Sequence, residues 1–152
     1  MSAEKRLAEL GIVLPRLGAP AGAYVDVVTV NGLAFCSGKG TRDKDGKPVC
    51  GKVGADFTTD QAYQHSRQIG LLLLAALKVE LGSLDRVKRI VKILGLVNAT
   101  PNFGDHPRVI NGCSDLMLEV FGDRGKHARS AIGAGSLPNN LSVEIELIAQ
   151  VE

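Results

Sequence analysis

Tryptophan is missing from the 152 residues, and the aromatic set is four phenylalanines and two tyrosines. So few flat rings leave little on which unpaired nucleobases could stack. Neither sign of charge dominates: 18 Lys and Arg face 16 Asp and Glu, a formal net charge of +2. That balance gives no strong field for a phosphate backbone or an anionic membrane surface. Both absences argue against nucleic acid as a partner and against a ribonuclease. Cysteine is scarce too, and Cys36, Cys50 and Cys113 match neither a metal knuckle nor an even-numbered disulfide framework. A reducing compartment, the cytoplasm, and no metal are therefore expected. The longest apolar run, residues 71–77, falls far short of the roughly 20 residues that span a bilayer. The first ten residues carry Glu4 and Glu9, unlike a secretory leader. No membrane partner is expected.

What is present suits one globular domain over residues 1–152: 16.0 kDa, 45% hydrophobic and 22% charged. Ser2 can cap a short helix that Gly11 ends, and Pro15, Gly18, Pro20 and Gly22 then break regular structure. Residues 1–21 thus read as a helix-and-loop extension that delivers Tyr24 to a strand. Residues 24–30 and 33–37, joined by Asn31-Gly32, carry the strongest hairpin signal in the chain. Ser37-Gly38-Lys39-Gly40-Thr41 lacks the first glycine of a phosphate loop, Leu33 standing there. It reads as a strand-to-loop turn, followed by a polar turn at 43–48 and a short strand at 49–53.

Thr58 and Gln61 have capping-box spacing before a long amphipathic helix with Ala62, Ile69, Leu73, Ala76 and Leu77 on one side and Gly82 as its stop. Gly70 inside it marks a close backbone crossing, the sheet being the expected neighbour. His65 reads as a hydrogen-bonded or exposed side chain. Residues 87–97 are rich in Val, Ile and Leu and follow a helix, so they should form a central strand, the parallel partner of a βαβ unit. Asp105 and Pro107 can start a second helix whose buried stripe includes Cys113, a packing residue, and which Gly122 ends. Asn111 falls off that stripe.

The end of the chain carries the most chemistry. Residues 128–133 and 141–151 read as extended runs joined through Leu137-Pro138-Asn139-Asn140, and an antiparallel hairpin is expected. In the second run Val143, Ile145 and Leu147 alternate with Glu144 and Glu146, so both acids share one face, roughly 7 Å apart. Hairpin pairing would bring Arg129 close to this strand, where its planar fork suits a carboxylate of the protein or of a ligand.

Ala128-Arg129-Ser130, the small residues after it, Leu137-Pro138 and Val143-Glu144-Ile145-Glu146 resemble the C-terminal signature of the RidA/YjgF family of reactive-intermediate deaminases. Gly22-Ala23-Tyr24, Ser37-Gly38 and the segment 103–121 with Asn111 are similar to further family motifs. Two departures stand out: Ala23 replaces a Pro, and Ala131 stands where many relatives have Cys, which excludes a mechanism needing that thiol. The resemblance implies an α+β fold of the chorismate-mutase-like kind, a mixed sheet with two helices on one face. Three copies would form a barrel-like homotrimer with ligand clefts between neighbours.

It further implies hydrolytic deamination of enamine or imine acids such as 2-aminoacrylate to 2-keto acids, the activity of a 2-iminobutanoate/2-iminopropanoate deaminase, with no cofactor. Arg129 would bind the substrate carboxylate and Glu144 act as general acid-base. Tyr24, Ser37 and Asn111 would shape the pocket, and backbone groups from Arg129 to Ala131 would hold the amino group. The alternatives are a non-catalytic trimer that binds a small carboxylate metabolite and, third, a ribonuclease.

Overall fold

The computed structural model describes residues 2–152. Three helices, α1 (Ala3–Glu9), α2 (Thr59–Leu81) and α3 (His106–Phe121), accompany five strands: β1 (Val27–Val30), β2 (Leu33–Gly40), β3 (Val87–Asn98), β4 (Ala128–Ala134) and β5 (Val143–Val151). The strands form one mixed sheet in the order β1-β2-β5-β3-β4, and the architecture is α+β as the chain's pattern indicates.

Local chemistry explains most of the elements. Thr58 and Gln61 complete a reciprocal capping box on α2, and Gly82, at φ 78°, closes it in the left-handed region. Ser2 accepts from the Lys5 amide to start α1. At α3 Asp105 occupies the N-cap position without a side-chain cap bond, so Pro107 in the first turn is the signal that survives. Asn31 and Gly32 both take positive φ, 50° and 74°, the backbone a two-residue hairpin turn requires. β1 is shorter than the extended-looking run 24–30, and Tyr24 precedes it. Residues 49–53 contribute only isolated bridges, Cys50 to Leu141 and Val53 to Phe57 and Ala99.

The terminal hairpin is not formed. β4 pairs in parallel with β3, Arg129 lying beside Ile93, and β3 separates β4 from its antiparallel neighbour β5. The reason is α3: a strand that returns through a crossover helix comes back parallel to the strand it left. β3 is therefore an interior strand, next to β4 and β5, while β5 is the central one; its parallel neighbour is β4, reached through the α3 that follows it, and not a strand before α2. Leu137 to Leu141 turn through a 3-10 segment in which Asn139 and Asn140 sit at φ 53° and 56°, and the chain passes to the far side of β3.

α2 and α3 cover one sheet face, where Ile69, Leu73, Leu77, Ile90, Ile93, Ile110, Leu116, Ile145 and Leu147 are fully enclosed. Their burial removes about 1.5–3 kcal/mol of apolar exposure per side chain. The close crossing at Gly70 is with α3, not the sheet: a Cβ there would meet Leu116 Cδ2 at 2.8 Å and Cys113 Sγ at 3.3 Å. Cys113 and Cys36 are packing residues, and burial raises both thiols to about 12.

Among the described residues no helix covers the opposite sheet face. Val28 and Phe35 are cross-strand neighbours on it, at 52% and 41% exposure, with Val30 and Ile132 at 48% and 49%. Val28, Val30 and Phe35 lie at the β1-β2 edge of that face and Ile132 on β4 at the other edge. Among the described residues no helix is long and apolar enough to cross a membrane.

Candidate functional site

Arg129 points toward the helices. Its Nη1 donates to Asn111 Oδ1 at 2.8 Å and to Ser114 Oγ at 3.1 Å, both on α3. Among the described residues no carboxylate pairs with it. Asn111 and Ser114 are one helical turn apart and therefore present the same side of α3. Asn111 braces one edge of the Arg129 fork. The guanidinium lines a cleft of about 260 Å³ with Ser114, Leu118, Lys126 and His127. A braced guanidinium with no acid paired to it among the described residues has the chemistry to accept an anion.

Ser114 and His127 are the residues that the motif reading missed. His127 Nδ1 lies 2.6 Å from the Gly125 carbonyl oxygen, and its Nε2 lies 2.9 Å from Ser114 Oγ. A carbonyl only accepts, so Nδ1 carries the proton and the neutral ring accepts from the Ser114 hydroxyl through Nε2. Burial, more than the nearby Arg129, holds the imidazole below 6.5, the Gly125 carbonyl opposing. Two spacings contained the signal: His127 and Arg129 are two apart, hence on one side of an extended chain, and Asn111 and Ser114 are three apart on a helix.

Glu144 lies elsewhere in the same chain. Arg129 and Glu144 flank β3 three residues apart, beside Ile93 and Leu96, so their Cα atoms are about 14 Å apart. They also face opposite ways: Arg129 meets α3, whereas Glu144 alternates with buried Val143 and Ile145 and lies on the open face. The expected closeness of Arg129 to the acid-bearing strand within one chain depended on the hairpin and goes with it. Ala131 lies beside Gly95 on the helix side of β4.

Glu144 rests over Gly38, where any Cβ would overlap its carboxylate. Gly38 sits in a bulge, between the β2 positions paired with Leu147 and Ile145. Burial, and then the charge of Glu146, raises the Glu144 carboxyl above its ordinary 4.5. Ser37 Oγ donates to the Val25 carbonyl at 2.7 Å, so its first role is to hold the segment that carries Tyr24. That tyrosine is 52% exposed and borders a second cleft, about 470 Å³, with Arg16, Asp26, Lys39 and Arg42. Inside it Lys39 pairs with Asp26. His65 Nδ1 donates to Ser142 Oγ at 3.0 Å, the Ser142 proton going on to Thr41 Oγ1, a satisfied side chain.

The predicted residues thus separate into two groups, Arg129 with Asn111 and Ala131 at the β4 edge, and Glu144 with Ser37 and Tyr24 near the β2 bulge. Among the described residues no three His, Cys, Asp or Glu side chains converge as metal ligands.

Residues 4–151 match the family described as "YjgF/chorismate mutase-like, putative endoribonuclease". Protein TCP17 of Trypanosoma cruzi is 38% identical over 146 residues, which cover 95% of this chain and 91% of that protein. Among solved structures, Atu1372 of Agrobacterium tumefaciens superposes with a TM-score of 0.89 at 36% identity, covering 99% of this chain and 94% of that one. A protein of Shewanella oneidensis MR-1 does so at 0.93 and 32%, covering 99% and 100%. RidA from a Psychrobacter species shares the fold, at a TM-score of 0.59 and 22% identity. Sequence match and superposition run the length of the chain, and the protein belongs to the RidA/YjgF family of chorismate-mutase-like fold.

Proposed function

We propose that the protein is a homotrimeric hydrolase that deaminates 2-imino or 2-enamino acids, such as 2-aminoacrylate, to 2-keto acids and ammonia in clefts between subunits. The observation that carries this reading is Arg129, braced by Asn111 and Ser114 and unmatched by any carboxylate among the described residues. A substrate carboxylate supplies the missing acid through charge-assisted hydrogen bonds, which fix the adjoining imine carbon.

Chemistry at that carbon needs a proton carrier, and Glu144 is suited to the task by its raised pKa. Because it lies about 14 Å from Arg129 and on the other sheet face, it serves a site that a neighbouring copy completes. The uncovered Val28, Val30, Phe35 and Ile132 offer the surface for that assembly, with one chain's β4 edge facing the next chain's β2 bulge. Tyr24 and Ser37 come with Glu144 from the second chain. Imines hydrolyse readily once positioned, so orientation and proton transfer suffice, without a cofactor.

Mixing the protein with freshly generated 2-aminoacrylate tests the reading. Pyruvate and ammonia should appear faster than in buffer, and Arg129→Lys should remove most of the gain. A wild-type rate equal to buffer, with pyruvate still bound, would leave the carboxylate-binding trimer, which the separation of Arg129 from Glu144 favours. The ribonuclease named in the family description is addressed by titrating RNA at rising salt, where true phosphate binding weakens steeply.

A further inference from the structure

From the directed chain of hydrogen bonds beside Arg129, we infer that Ser114 and His127 form the proton relay that activates the attacking water. This rests on the deaminase reading above and assigns the base that Glu144 alone leaves unfilled. The geometry is that of an activated hydroxyl: Ser114 Oγ is 2.9 Å from His127 Nε2, and the ring is oriented by its 2.6 Å bond to the Gly125 carbonyl. Arg129 Nη1, 3.1 Å from the same Oγ, occupies one lone pair and stabilises negative charge as the hydroxyl gives up its proton. Ser114, His127 and Arg129 line one cleft, so a substrate carboxylate on the free side of the guanidinium holds its imine carbon within reach of Ser114.

The charged side chains that line the clefts beside His127 are Arg129, Lys126 and Arg89, and Lys126 is paired with Asp123. Arg129 and Lys126 share the cleft on one side, and Arg89 and Lys126 that on the other; α3 faces it with neutral Ser114. Burial first, and Arg129 after it, lower the imidazole's pKa against the Gly125 carbonyl, which keeps the ring neutral and able to accept at pH 7.

Atoms and charges balance at each step. An enamine such as 2-aminoacrylate first takes a proton from solvent on C3 and becomes the protonated imine; water then adds its oxygen to the imine carbon, the C=N pair moves to nitrogen, and the water proton passes to Ser114 as the Ser114 proton passes to His127. The imidazolium returns that proton by the same route to the amino group of the carbinolamine. The C–N bond then breaks, ammonia leaves, and the carbinol proton goes to Glu144 of the adjoining subunit, which hands it on to ammonia. Ser114 touches the reacting water; His127 acts through it.

Three variants test the relay: Ser114→Ala, His127→Asn and His127→Gln, each assayed for keto-acid release across pH and for pyruvate affinity. Asn can still donate to Gly125 but cannot take a proton, so fold and pocket are kept. In the wild type the rate should fall as pH drops through the His127 pKa, below 6.5. In His127→Asn and Ser114→Ala, kcat should fall about 100-fold or more and lose that acid limb, while pyruvate affinity changes less than about threefold. Equal losses in kcat and pyruvate affinity would assign these residues to bracing Arg129 and overturn the relay. So would an unchanged kcat or a retained limb in both His127 variants. A wild type inactive on imines would instead sink the deaminase reading and the relay with it.

Discussion

In the proposed reaction Arg129 matters at the scale of a single side chain, because its value there is geometric as much as electrostatic. Lysine in its place keeps the charge but presents a point donor where Asn111, Ser114 and a ligand carboxylate require a planar fork. Loss of one charged hydrogen bond costs about 1.5–3 kcal/mol, so Arg129→Lys should lower kcat/KM for 2-aminoacrylate by roughly 100-fold, with the native assembly intact by sedimentation. Glu144 makes the complementary case, a residue whose service to chemistry opposes stability. Burial and Glu146 raise its carboxyl above 4.5, so folding favours the protonated form and the native state is penalised as pH rises through that pKa. Glutamine carries no charge to desolvate. Glu144→Gln should melt higher than the wild type at pH 7, the two curves converging as pH falls to about 4, while turnover drops. Identical melting temperatures across that range would show that the fold does not strain this acid.

Among the elements, the contact between α2 and α3 depends on one position more than any other. A Cβ at Gly112 would overlap the Tyr63 carbonyl oxygen and come within 2.9 Å of the Arg67 amide nitrogen, and neither backbone atom can swing aside. Gly112→Ala should therefore force the helices apart and destabilise the protein by about 2–4 kcal/mol, read from urea unfolding midpoints at constant slope. The bonds that cross the same interface, Tyr63 to Asp115 at 2.8 Å and the two-pronged Arg67–Glu119 pair, would shift with it. How much the chain discloses about its own elements follows from range. Capping at Thr58, the stop at Gly82, the Asn31-Gly32 turn and the stripe of α3 are local matters, decided within a few residues, and each is legible. The placement of β4 is not local: residues 128–134 could pair with either neighbour, and only the crossover through α3 decides. Arg129, Asn111 and Glu144 are legible through their family motifs, but their division between two faces is not, because it depends on that strand order. Ser114 and His127 lie 13 residues apart on different elements and meet only once α3 has packed beside β4.

For the whole molecule the decisive question is whether the Arg129 and Glu144 of one cleft belong to different chains. Replacing Phe35, 41% exposed on the open sheet face, by Asp should leave the single chain folded and split the assembly. A charge at the centre of an apolar interface is desolvated without a partner. The particle mass should fall from three times 16.0 kDa toward that of one chain, and imine turnover should fall with it although no site residue has changed. Subunit mixing gives the sharper result. Arg129→Lys and Glu144→Gln trimers are each inactive in every cleft if the cleft draws its arginine from one chain and its acid from the next. After mild dissociation and reassembly of an equal mixture, about a quarter of the clefts pair an intact Arg129 with an intact Glu144, and that share of wild-type activity should return. If both residues acted within one chain, mixing would restore nothing, and the 14 Å or so between them would have to be closed by a rearrangement of β3 and its neighbours that the buried row of Ile90, Ile93 and Val97 opposes.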